Sequence, residues 1–382
     1  MEHVREVVLD GGRSRTCRND FRTLGRDDSR MRWSFARART VAIAAVASGL
    51  VVGSCTLVRS DSVTASVRGG PLPMLAVAVN TDMLPDDWLA LIYLASEPGV
   101  EIRAVTVDHG AAVGCEAGVA IARDLLASVG ESDVPVACGP PAEAGGIAFP
   151  AEWAGETLSV AASLGWTAED GDPAGTPTNS GDAVALLRAA VGDGPITIVS
   201  LGPPTNVARL LEDPTWDRSK VDRIIQMAGA VDTPGNVEGL PSVEWNAAVD
   251  PTALATVLAS DLDVVLVSLD GTNDVPVRTA DINRMSADQS TPAASLAARI
   301  LDTQREFAKA GGRYAWDVLT AMTARQPDVV RLESIPVRVS LDSGESGRTI
   351  RDPAGHQVRV TVKADAAGFE RIFLDALLGR GP

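Results

Sequence analysis

From residue 72 onward the chain alternates short apolar, β-branched runs with segments of helical spacing, and few folds accommodate that alternation. Residues 75–79, 102–107, 134–137, 196–201, 223–227 and 264–267 read as strands. Helical spacing occupies 86–96, 117–129, 183–191, 205–211 and 251–260 between them. Strands that are apolar throughout must be covered on both faces. The pattern therefore predicts an α/β fold with a Rossmann-like, mainly parallel central sheet and helices on either side. Beyond Pro327, runs at 335–341 and 358–362 flank a polar segment at 344–355 and predict a hairpin, followed by a last helix over 369–378. No internal repeat or long linker divides residues 72–382, which are read as one domain. Residues 165–181, rich in Gly, Pro, Asp and Thr, are expected to form a loop near the surface or over a site.

The first strand-to-helix turn carries Asn80-Thr81-Asp82-Met83-Leu84-Pro85-Asp86-Asp87. Ligands of open parallel sheets bind beyond the carboxyl ends of the strands, which is where Asp82 falls. Asp82, Asp86 and Asp87 crowd one turn, and like charges in one pocket raise each other's pKa. A hard cation such as Ca²⁺ would neutralise them and accept Asp82 and Asp87 together. The alternative is a helix start at which Asp86 and Asp87 serve only as favourable N-terminal charges.

Composition narrows the chemistry. With 34 basic and 50 acidic residues the formal charge is −16, which argues against nucleic acid and against an electrostatically held membrane protein. The glycines at 110–118 lack the Lys-Ser/Thr of a P-loop and the spacing of a dinucleotide fingerprint. His3, His109 and His356 are too scattered for a zinc site, and no Gly-x-Ser-x-Gly elbow is present. A phosphatase of the phosphoaspartate kind fails because Asn80 stands where the nucleophilic acid belongs.

Residues 1–30 have little apolar pattern and read as a disordered extension, so that Met31 is the expected start. Arg32, Arg37 and Arg39 then precede an apolar run at 40–52, the length of a signal peptide core and short for a membrane span. The run ends in Val52-Gly53-Ser54-Cys55, which resembles the lipobox of bacterial lipoproteins. The expectation is a signal peptide over 31–54, lipidation at Cys55, a tether over 55–71, and a domain anchored outside the cell membrane; an uncleaved N-terminal anchor is the alternative. In an oxidising compartment Cys115 and Cys138 could pair, or remain as two buried thiols.

Three further stretches carry polar groups. Ser200-Leu201-Gly202-Pro203-Pro204-Thr205-Asn206 closes a strand and opens a helix; Gly235-Asn236, Glu244-Trp245-Asn246 and Asp250-Pro251 offer amides and carboxylates; Tyr314-Ala315-Trp316-Asp317-Val318-Leu319 sets an aromatic beside an acid. Together with the octet they resemble, in order and from about residue 75 to at least 327, the nucleoside hydrolase family, which cleaves the N-glycosidic bond of ribonucleosides. The family's opening motif, Asp-x-Asp-x-Gly-x-Asp-Asp, is matched at Asp82, Asp86 and Asp87.

The resemblance implies that Asp82, Asp87, the Leu201 carbonyl and Asp317 bind Ca²⁺. It implies that Asp86, Asn236, Glu244 and Asn246 hold the ribose hydroxyls; His109 lies near the end of the second strand, where the family has a polar residue facing the sugar or base, the favoured alternative being a residue at the surface or behind the site. Asp82 would accept the proton of the attacking water, whose pKa the cation lowers. Many pyrimidine-accepting members carry a histidine immediately before the last metal-binding acid; here that residue is Trp316. The purine-preferring branch has tryptophan there and a second in Phe-Pro-x-x-Trp, matched by Phe149-Pro150-Ala151-Glu152-Trp153. Trp153 and Trp316 are thus expected to stack on a leaving purine, the alternative being two tryptophans that fill a core. Asn80 and Leu84 depart from the motif's Asp and Gly, and the loop from Asn236 to Glu244 is about two residues longer than the family's. The rival reading is a lipoprotein that binds nucleosides without hydrolysing them. Whether such a chain works alone or as a dimer or tetramer stays open.

Overall fold

The computed structural model describes residues 73–109, 112–142, 145–166 and 182–380. The extension, signal peptide, Cys55 and tether, and residues 167–181 of the expected loop, lie outside these. Nine strands follow in the order β1 (Leu75–Thr81), β2 (Val100–Val107), β3 (Val136–Cys138), β4 (Ile196–Ser200), β5 (Val221–Met227), β6 (Val264–Val267), β7 (Val330–Val339), β8 (Thr349–Arg351) and β9 (His356–Ala364). Their helices are α1 (Pro85–Ser96), α2 (Cys115–Ser128), α3 (Ala151–Leu164), α4 (Asp182–Gly192), α5 (Thr205–Glu212), α6 (Trp245–Val249), α7 (Pro251–Leu258) and α8 (Leu269–Thr272). After them come α9 (Thr279–Ala287), α10 (Pro292–Thr303), α11 (Arg305–Lys309), α12 (Trp316–Arg325) and α13 (Ala366–Leu377).

All nine strands join one sheet in the order β3-β2-β1-β4-β5-β6-β9-β7-β8. The neighbours from β3 to β9 run parallel, and β7 and β8 close the far edge antiparallel. The expected hairpin is the β7–β9 pair, in which Val337 faces His356 and Val330 faces Ala364. It is longer than its apolar core suggested, because exposed polar side chains alternate with buried ones along both strands; β8 was not anticipated.

Side chains on successive residues of a strand point to opposite faces, and the core divides accordingly. Val77 and Val79 of β1 pack with α1, α2, α10, α12 and α13 on one face. Ala76 and Ala78 pack with α4, α5 and α7 on the other. Both faces are thus dry, as the uninterrupted apolar runs require. The chain order reverses between β1 and β4, and a crevice opens at the carboxyl ends of strands at such a switch point. Asp82 is the first residue beyond β1.

Candidate active site

The turn after β1 is tied by its own side chains. Asp87 Oδ1 accepts from Thr81 Oγ1 and, at 3.2 Å, from the Asp82 amide. The Leu84 amide donates to Asp82 Oδ1 at 3.2 Å, and Trp88 Nε1 donates to the Met83 carbonyl at 3.0 Å. The left-handed residue is Met83, at φ 60°. Leu84 is extended at φ −72°, a conformation open to any residue, so the absence of glycine there costs the turn nothing. Opposite, Gly202 is required for close approach: a Cβ at that position would lie 2.7 Å from the Asp82 nitrogen.

Asn80 turns out to face away from the carboxylates of the turn. Its Nδ2 donates to Asp108 Oδ2 at 2.9 Å, Ser200 Oγ at 3.1 Å and the Pro203 carbonyl at 2.9 Å. Its Oδ1 accepts from Thr106 Oγ1 at 3.1 Å and Asn206 Nδ2 at 2.9 Å. An ionised aspartate can donate nothing, so the acid at 108 explains the amide at 80. Burial, countered by the Asn80 and Asn206 contacts, holds the Asp108 carboxyl well above the usual carboxylate range. Sequence reading missed Asp108, whose only sign was an acid one residue past the end of β2.

The remaining acids converge. Asp86, Asp87 and Asp317 each bring a carboxylate oxygen within 4.8 Å of the others, and all three are buried. Asp82 joins them as an electrostatic neighbour: burial first, then the charges of Asp87 and Asp86, raise its pKa well above normal. Asp317 is raised likewise by burial and then by Asp87, Asp86 and Asp82. Asp87 is pushed up to about 6 by burial and by Asp86, against the lowering contacts of Thr81, Asp82 and Asp317. Arg313, 3.3 Å from Asp86, brings one positive charge. Crowded hard oxygens so poorly compensated in a buried place fit a hard divalent cation, and the donor set offers one a home. Asp86, assigned to sugar by the resemblance, belongs geometrically to the same acid cluster.

A cavity of about 1570 Å³ opens above the acids. Asp82, Asp86, Asp87, Leu201, Asn236, Glu244, Asn246, Trp153, Trp316 and Asp317 all line it. Glu244 caps α6, its carboxylate accepting from the amides of Gly229, Asn246 and Ala247. Burial raises its pKa while those amides lower it. Asn246 Nδ2 donates to the Leu201 carbonyl at 2.6 Å and to the Met227 carbonyl at 3.1 Å, and Asn236 Oδ1 accepts from the Trp245 amide at 3.1 Å. The longer loop before Glu244 thus still delivers Asn236 to the cavity, because the Asn236 and Val237 amides both bond the Val243 carbonyl.

His109 does not reach this cavity. It is exposed beside Cys115 and Cys138, which are joined in a disulfide with Cα atoms 5.6 Å apart. Asp108, the residue before it, is buried against Asn80, and its amide bonds the Thr81 carbonyl at the end of β1. The two tryptophans have separate partners: Trp153 sits 4.9 Å from Trp245 and 5.7 Å from Phe149, whereas Trp316 packs on Tyr314 and under the Arg313 guanidinium. Trp245 and Arg313 were missed as participants; a third indole within Glu244-Trp245-Asn246 was the available sign of the first.

Comparison with known proteins agrees with this geometry. The model of the inosine-uridine preferring nucleoside hydrolase family matches residues 77–371. The pyrimidine-specific ribonucleoside hydrolase RihA of Salmonella schwarzengrund is 32% identical over 241 residues, which span 62% of this chain and 73% of the relative. Among solved structures, an inosine-uridine preferring nucleoside hydrolase from Bacillus anthracis superposes with a TM-score of 0.69 at 24% identity, covering 80% of this chain and 99% of that one. A purine-preferring ribonucleoside hydrolase from Gardnerella vaginalis does so with a TM-score of 0.67 at 22% identity, covering 80% and 98%. A strand-order switch point floored by buried acids, and a family match across nearly the whole described chain, have one reading: this protein belongs to the inosine-uridine preferring nucleoside hydrolase family and is a hydrolase.

Proposed function

We propose that the chain hydrolyses the N-glycosidic bond of purine ribonucleosides, with Ca²⁺ as its cation. The observation that carries the preference is the cavity wall: Trp153 and Trp316 line it, and among the described residues no histidine does. Many pyrimidine-accepting members use a histidine proton donor that is absent from this wall among the described residues, whereas a purine stacked on indole can be protonated by solvent. Asp82, Asp87, the Leu201 carbonyl and Asp317 would hold the cation, which supplies the positive charge that lowers the pKa of a nucleophilic water. Asp82 takes the proton of that water. Asp86, Asn236, Glu244 and Asn246 hold the ribose hydroxyls and orient the ring as oxocarbenium character develops at the sugar.

Uridine, denied a proton donor worth about 10²-fold, should turn over about a hundredfold more slowly than inosine. Trp316→Ala should lower kcat on inosine more than it raises KM. Steady-state assays of ribose release test both, and equal rates on uridine would defeat the purine reading. The cation is tested apart from turnover, by thermal melts. At a hundredfold excess over its dissociation constant, Ca²⁺ should add about 2.7 kcal/mol of stability that a chelator removes; identical melting curves would rule it out as the resident ion. We further propose export with lipidation at Cys55, which the Cys115–Cys138 disulfide supports because such bonds persist in oxidising compartments. Mass spectrometry of the mature N-terminus decides that point.

A further inference from the structure

The proposed reaction breaks one bond between two halves of a substrate, and residues far apart in the chain hold those halves. Asp86, in the first turn of α1, is assigned to the sugar; Trp316, the first residue of α12, is assigned to the base. Arg313 contacts both. Its Nη2 forms an ion pair with Asp86 Oδ1 at 3.3 Å, and its guanidinium lies over the Trp316 ring, 5.6 Å from the centroid. The side chain is itself fixed, being only 6% exposed on a backbone held at two points. The Arg313 carbonyl accepts from the Val277 amide at 2.9 Å, and the Ala315 amide donates to the Val275 carbonyl at 3.0 Å. Trp316 by contrast is half-buried and lines the cavity, in which no other described residue is basic.

A guanidinium suits this double contact because it is planar and always charged, so that it can pair with a carboxylate while it lies on an aromatic ring. Burial strengthens both contacts relative to water. The side chain thereby fixes how far a sugar-holding carboxylate stands from a base-stacking indole, and the N-glycosidic bond spans that gap. Turnover depends on this register, since water must attack the sugar on the face opposite the departing base. We propose that Arg313 is a positioning residue: acting through Asp86 and Trp316 rather than on the substrate, it sets one against the other and so aligns ribose with base across the scissile bond. This deepens the nucleoside hydrolase reading and rests on it.

The experiment sets the whole substrate against its halves. Inosine turnover gives kcat/KM, while ribose and hypoxanthine, as inhibitors, report the sugar end and the base end separately. Arg313→Met loses both contacts and should lower kcat/KM on inosine about 10²-fold, the cost of a misplacement of about 1 Å. The inhibition constants of ribose and hypoxanthine should each change by less than about threefold, because either half still finds its own residue and only their linkage suffers. Arg313→Lys keeps a charge for Asp86 without a planar face for Trp316 and should recover part of the loss; where Arg313→Met does not fold, it is judged by the same three constants. Halves weakened by the same factor as inosine turnover would reduce Arg313 to a structural support of each end, and an unchanged kcat/KM would leave it no part; either result overturns the proposal. If the wild type hydrolyses no nucleoside, the hydrolase reading fails, and the same three ligands are compared by binding, read from tryptophan fluorescence. Inosine affinity that falls about tenfold or more in the variant while the halves keep theirs still supports the proposal. Inosine affinity that the variant keeps, halves that weaken with it, or a wild type that binds no inosine overturns it.

Discussion

Asp82→Ala should lower kcat on inosine by about 10³-fold or more while the protein remains folded, because the proposed function asks one side chain to be both cation ligand and proton acceptor. General base catalysis alone is worth about 10² to 10⁴. The residue is placed for the task by the turn itself: the Leu84 amide bonds its Oδ1 at 3.2 Å, and Gly202 leaves room for it against β4. Asp82→Asn separates the two duties, since an amide oxygen can still face a cation but cannot take a proton at neutral pH. Both variants should give wild-type circular dichroism and cooperative unfolding. Removing a carboxylate from beside Asp87 also relieves like-charge repulsion, so neither variant should melt below the cation-free wild type. A rate within about tenfold of wild type would remove Asp82 from the role of base.

The second large effect lies one layer below. Asn80→Asp restores the family's motif and should nevertheless destabilise the protein by about 2 kcal/mol, because it exchanges three donated hydrogen bonds for a carboxylate pressed against Asp108. Adding Asp108→Asn should recover at least half of that loss, since the exchanged pair again has one amide and one acid. Urea denaturation of the two single variants and the double variant gives the coupling, expected at about 1 kcal/mol or more. Additive losses, or an Asn80→Asp variant as stable as the wild type, would show that the pair is not coupled.

These two residues also show how far the chain could be read in advance. The parallel sheet, its two covered faces and the position of Asp82 at the end of β1 were legible because apolar run length and helical spacing are local properties. All six expected strands of the parallel sheet appear within a few residues of their places. Helices α8 to α11, between β6 and β7, were not anticipated. That Asp86, Asp87 and Asp317 belong to one site was legible from their type and order, and the structure brings their carboxylates together. Asn80 was not, since its meaning depends on Asp108, Ser200 and Asn206, which lie 28, 120 and 126 residues away. His109 drew attention for its place near the end of the second strand, and it lies at the surface, the alternative the sequence favoured.

By itself the sequence determined the fold class, the family and the acids that gather at one end of the sheet. Each of these follows from residue type and spacing along the chain. Only the tertiary structure decided which polar groups meet. Arg313 meets Asp86 and Trp316 because its backbone pairs with the 275–277 segment beside the starts of α1 and α12. Whether a buried donor finds its acceptor depends on angles and on distances of a few tenths of an ångström, and no pattern of residues along a chain encodes those.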